Sequence, residues 1–142
     1  MRGQGATMKK LLSLFLALFM VSGCFDSSEN TFKGKLYKYT SSPENMAITL
    51  GFDAQEPRFY GKALNNYMGS YKQEGEEIIF SQVATTMMAG PQEMMQAESD
   101  YLAALPKVNS FKLDGKKLIL KTSDGKELIY EEQPKEENSE QE

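Results

Sequence analysis

Four methionines, Met87, Met88, Met94 and Met95, fall within eleven residues, TTMMAGPQEMM (85–95), on either side of a Gly-Pro. Thioethers clustered in space bind soft metals such as Cu(I), commonly beside a thiolate or an imidazole. The chain has no histidine and one cysteine, Cys24, so no metal is expected. Flexible thioethers also fill irregular gaps where a helix meets a sheet, and core filling is the role expected of Met88, Met94 and Met95. The same missing residues remove the usual nucleophile–base pairs and zinc sites. Glu93 and Glu98 could serve in principle as paired carboxylates, but five apart they fall on different faces of a helix and read as solvated surface. No catalytic residue and no cofactor is expected. Asn65, Asn66 and Tyr67, just before Gly69, are the candidate ligand contact. They equally suit a turn, since Asn and Gly both tolerate left-handed backbone. Tyr60, Tyr67, Tyr71 and Tyr101 could line a barrel mouth, or be half-buried sheet aromatics.

The ends of the chain carry different signals. Residues 8–24 read MKKLLSLFLALFMVSGC, a basic start, an apolar run and a small-residue ending. The run is too short for a hydrocarbon core that needs about 20 helical residues, and the pattern fits a cleaved secretory signal over 1–23. Met8 is an alternative start. Val21-Ser22-Gly23-Cys24 resembles the lipobox of bacterial lipoproteins, which implies lipidation at Cys24 and firm anchoring, because more than one acyl chain holds a protein stably to a membrane. The expected address is the cell envelope, and with Phe25 after the cysteine the outer membrane facing the periplasm if the cell is Gram-negative. Removing residues 1–23 takes away Arg2, Lys9 and Lys10 and no acid, leaving 13 basic against 20 acidic groups, a net of −7. The last twelve residues, EEQPKEENSEQE, hold six acids, one lysine and nothing apolar, so 131–142 is expected to be a disordered acidic tail. Residues 24–31 form a short polar tether. From Phe32 to Tyr130 the charges balance at 12 against 12, which leaves no basic stripe for nucleic acid.

Between those ends, roughly 100 residues suffice for one core. Runs at 35–39, 46–52, 58–63, 68–73 and 77–83 are rich in aromatic and β-branched residues and read as strands. Three more, SFKL, KLILK and ELIY, are joined by Asp114-Gly115 and Asp124-Gly125. Asp-Gly between alternating runs is a strong hairpin signal, so an antiparallel meander ends the domain. Residues 91–105 have another period: Met94, Ala97, Tyr101 and Leu105 recur at three- and four-residue spacing, after Pro91 at the first helical position and before Pro106. One amphipathic helix follows, packed on a sheet or closing a barrel mouth.

ITLGFD (48–53), GKALNNYMGSY (61–71), the stretch from Ile78 to Leu105 and the stretch from Phe111 to Tyr130 resemble, in order and spacing, a META domain, the HslJ-like module. The resemblance implies an α+β fold, mainly antiparallel: a small, partly open barrel with one helix and a C-terminal meander, over residues 32–130. The family shows Gly-Cys-Asn where this chain has Ala63-Leu64-Asn65, and Thr-x-Met-Ala-Cys-Pro where it has Thr86-Met87-Met88-Ala89-Gly90-Pro91. Both family cysteines are absent together, as expected of neighbours in space. The resemblance further implies a non-enzymatic lipoprotein acting by binding or structural support in envelope stress tolerance or assembly. Its partners would be the membrane, through the anchor, and an envelope protein. The alternative is a small-ligand or lipid carrier, which a hollow rather than filled barrel interior would distinguish.

Overall fold

The computed structural model describes residues 31–134. The signal segment, Cys24, most of the tether and the tail from residue 135 lie outside the described residues. Eight strands follow the eight apolar runs: β1 (Leu36–Tyr39), β2 (Thr49–Phe52), β3 (Arg58–Lys62), β4 (Asn66–Glu74), β5 (Glu77–Thr85), β6 (Val108–Asp114), β7 (Lys117–Thr122) and β8 (Glu127–Glu132). The helix α1 (Gln92–Ala104) stands between β5 and β6 and passes into a 3₁₀ turn, Leu105–Lys107, that contains Pro106. Pro91 is the residue before the helix rather than its first, with extended backbone, and its carbonyl accepts from Met95 N at 3.0 Å. The tight β4–β5 and β6–β7 turns place Gly75 and Gly115 at φ +58° and +61°. Side-chain-bearing residues resist that region, so Gly is the natural occupant of such turns.

Each strand pairs antiparallel with the next, and β1 pairs with β8, so the sheet closes into a barrel rather than standing partly open. The two joints of that closure differ. At β1–β8 the register runs Tyr37↔Glu132, Lys38↔Glu131, Tyr39↔Tyr130. At β5–β6 only Glu77↔Ser110 is in register, supported by Phe111 N donating to Glu76 O at 2.9 Å. The closing strand runs two residues past Tyr130, into the acidic run. Opposite charge draws it on: Glu131 faces Lys38 across the strands, and Lys35 Nζ lies 3.8 Å from Glu132 Oε2. Such cross-strand pairs favour the paired state.

Alternation puts Tyr37, Leu50, Phe52, Phe59, Ile78, Phe80, Leu118, Leu120, Leu128 and Tyr130 inside, nearly free of solvent. Eight strands enclose an interior just wide enough for side chains to fill, and aromatic rings fill this one. Phe52 contacts Phe32, Tyr37, Tyr71 and Phe80 at centroid separations of 4.3–6.3 Å. Phe32 closes one end against Tyr71 and Phe111. The helix closes the other, sinking Tyr101, Ala104 and the following Leu105 into the core with Met94, Ala97 and Leu102 at its margin.

Candidate functional site

The end of the barrel beneath α1 holds most of the buried polar chemistry. Tyr67 on β4, Tyr101 on α1 and Tyr130 on β8 point inward, and their hydroxyls form a chain: Tyr67 Oη to Tyr101 Oη is 2.8 Å and Tyr101 Oη to Tyr130 Oη is 3.0 Å. Tyr67 also meets the carbonyl of Thr49 on β2. A carbonyl can only accept, so Tyr67 must donate to Thr49. It therefore accepts from Tyr101, which in turn accepts from Tyr130. Three protons serve three bonds in one direction. Gly61 on β3 makes room for this, since a Cβ there would overlap both the Thr49 carbonyl and the Tyr67 ring. Burial pushes the pKa values of all three tyrosines well above their ordinary value, with neighbouring tyrosines adding to the rise. They are donors held in protonated form, far from any role as bases at neutral pH.

Beside this chain, Asn65 is buried at the β3–β4 turn and fixes three separate segments. Its Oδ1 accepts from Met88 N at 2.6 Å and from Thr86 Oγ1 at 3.1 Å. Its Nδ2 donates to Glu98 Oε1 at 2.8 Å and to Met88 O at 3.3 Å, while its backbone N donates to Glu98 Oε2 at 2.5 Å. The carboxylate of Glu98 thus latches α1 to the turn. Glu98 is therefore half-buried against the Asn65 turn and not on a solvated face as its spacing from Glu93 led one to expect.

Of the candidate ligand contact, Asn65 and Tyr67 have their polar atoms committed within the protein, and Asn66 is exposed on the outer wall, paired with Thr86. Of the four tyrosines, Tyr67, Tyr71 and Tyr101 are interior and Tyr60 stands outside, 46% exposed. The methionines depart furthest from expectation. Met87 and Met88 are 94% and 67% exposed and Met95 is 45% exposed, so none of the three fills the core. For Met88 the reason is a contact distant in sequence: the loop's backbone there is drawn down onto Asn65, which leaves the side chain facing out. Only Met94 packs against the core margin. Among the described residues no three acidic or thiolate groups converge as a metal site requires.

Leu64 and Gly90, at the two cysteine positions of the resemblance, do meet. A Cβ on Gly90 would lie 2.9 Å from Leu64 Cδ1, so the leucine occupies the space the glycine leaves. Another irregularity lies on β5, where Gly69 faces both Gln82 and Val83 in a bulge and Gln82 takes φ +55°. Beside it an open cleft of about 740 Å³ runs over the outer wall between Arg58, Tyr60, Met68 and Gln82. Sequence patterning placed Tyr101 and Glu98 on the helix and Tyr130 on the last strand, and left Asn65 and Tyr67 in a turn. It could not show the Glu98 latch or the tyrosine chain, whose partners are 29–34 residues apart.

No curated protein matches the chain. Among solved structures, an NMR structure of a protein from Burkholderia xenovorans has 18% identity and a TM-score of 0.63, over 79% of this chain and 94% of its own. A second NMR structure has 17% identity and a TM-score of 0.55, over 70% of this chain and 90% of its own. Both share the fold. The META domain profile matches residues 30–135, the whole barrel and its helix, and the chain belongs to the META domain family.

Proposed function

We propose that the protein is a lipid-anchored, non-enzymatic META-domain protein of the bacterial cell envelope, working by binding or structural support in stress tolerance or assembly. The observation that carries this reading is the spent interior. The Tyr67, Tyr101 and Tyr130 hydroxyls are spent on one another and on the Thr49 carbonyl, and the Asn65 amide is spent on Thr86, Met88 and Glu98. Aromatic rings pack the interior around them, with Tyr71 Oη the buried side-chain atom left without a partner among the described residues. The barrel therefore offers its outer surface for work. The same packing counts against the carrier alternative, which needs a cavity inside. The absence of histidine and of any cysteine but Cys24 removes the commonest nucleophiles and bases. The Val21–Cys24 pattern supports the anchor, and the META family supports an envelope role without naming a partner.

Labelling cells with a fatty-acid probe tests the anchor. The wild type should be labelled and should sediment with membranes, and Cys24→Ser should do neither. Equal labelling of the two would overturn the anchor. Crosslinking in intact membranes followed by pull-down tests the partner, and recovery of no envelope protein would count against assembly.

A further inference from the structure

The outer wall carries an apolar arc drawn by the strand register itself. Leu36 on β1 pairs with Gly51 on β2, Gly51 with Tyr60 on β3, Tyr60 with Met68 on β4, and Met68 with Ala84 on β5. All five face outward. With strands about 4.8 Å apart, the arc runs roughly 19 Å around the wall. Leu36, Tyr60 and Met68 are 37%, 46% and 59% exposed, and Gly51 is covered because the Tyr60 ring lies over it. Polar rows bound it on both sides. On the helix side the row contains Lys38, Thr49, Lys62 and Asn66, with Glu131 of β8 facing Lys38 at its far end. On the other side Arg58 pairs with Ser70, which pairs with Ser81.

We propose that this arc is the face on which the barrel lies against the bilayer that holds Cys24. The proposal rests on the anchor reading above. The length of chain decides the occupant: Cys24 precedes Phe32 by eight residues, which extend to about 28 Å at most, and β1, where the arc begins, opens four residues later. An anchored barrel is therefore kept within its own diameter of the lipid and can lie on it. The composition agrees. Tyrosine sits at headgroup level in membrane interfaces, methionine and leucine reach the upper acyl region, and Lys62 places a cation where an anionic phosphate would stand. One such stripe binds weakly, and it gains from the high local concentration that the anchor provides.

The test uses the full lipidated protein in vesicles containing phosphatidylglycerol. The chain has no tryptophan, so Tyr60→Trp supplies a single reporter, with Met68→Trp as a second if the first disturbs packing over Gly51. Lys121→Trp, exposed on β7 across the barrel, is the control. Lipids brominated near the headgroup should quench the arc reporters at least threefold more than the control, and Met68→Glu should abolish the difference for Tyr60→Trp. Equal quenching at both walls, with the protein still sedimenting, overturns the arc alone. A blue-shifted arc reporter that lipid bromines do not quench assigns the face to a protein partner and also overturns the proposal. Failure of the wild type to sediment overturns the anchor, and the arc with it.

Discussion

The one-way chain of hydroxyls makes the cost of removing each tyrosine oxygen unequal. Tyr130 stands at the donating end. Tyr130→Phe removes one buried hydrogen bond, worth about 1 kcal/mol, and leaves Tyr101 still donating to Tyr67. Tyr101→Phe removes two bonds and strands the Tyr130 hydroxyl, because its one acceptor was Tyr101 Oη. A buried donor without a partner adds roughly 1–3 kcal/mol, so the expected loss is about 3–5 kcal/mol. For a domain of this size each kcal/mol moves Tm by about 4–8 °C. Tyr130→Phe should therefore lower Tm by about 4–8 °C and Tyr101→Phe by at least twice as much. Thermal unfolding followed by circular dichroism, with urea titrations to check that the slope is unchanged, measures both. Equal losses, or a larger loss for Tyr130→Phe, would refute the assigned direction of donation.

Three further outcomes are expected. The buried tyrosines 67, 101 and 130 have folded-state pKa values raised above the unfolded value of about 10, so the stability they contribute is complete below about pH 10 and falls as pH rises further, by up to about 1.4 kcal/mol per pH unit for each; tyrosinate absorbance from them should rise together with cooperative unfolding, and gradual titration in a folded protein would count against it. Gln82→Gly should raise stability by about 1 kcal/mol in urea titrations by relieving left-handed backbone at φ +55°, and a loss would show that the glutamine side chain compensates its strain. In a Cys24→Ser background, Leu64→Cys with Gly90→Cys should oxidise readily and close the loop of residues 65–89, adding roughly 3.5 kcal/mol before the lost leucine packing is subtracted; two free thiols after oxidation would contradict the contact of positions 64 and 90.

What could be read in advance was whatever has a short period. The eight strands, the helix and the Asp-Gly hairpin were visible because alternation and turn chemistry are local, and Met94, Ala97, Tyr101 and Leu105 fell on the buried side as their spacing required. The core methionines failed for the opposite reason. Met87 and Met88 are apolar by type, but their place was decided by Asn65, 22–23 residues earlier in sequence, pulling the loop backbone inward. Glu98 failed likewise: alone it reads as solvent-facing, and its two acceptor oxygens acquire a purpose only once β3 and β4 bring the Asn65 turn beneath the helix. The closed barrel was less legible than its strands, since nothing in β1 announces β8 as its neighbour. The joint position of Leu64 and Gly90 was legible only through the family resemblance.

The pairing of β1 with β8 also has a consequence for how the molecule comes to exist. Hairpins such as β4–β5 and β6–β7 join residues close in sequence and form within microseconds, whereas Tyr37↔Glu132 joins the two extremes of the domain. Loop closure over that distance is slow, and high contact order sets the pace of folding. A chain delivered from its N-terminus must hold β1 as an unpaired edge until the last strand arrives. Edges of that kind recruit other chains unless they are short or charged. β1 is four residues long, preceded by Lys35 and carrying Lys38. The lysines that later meet Glu131 and Glu132 thus guard the open edge first, and the acids that relieve them are the same ones that complete the ring.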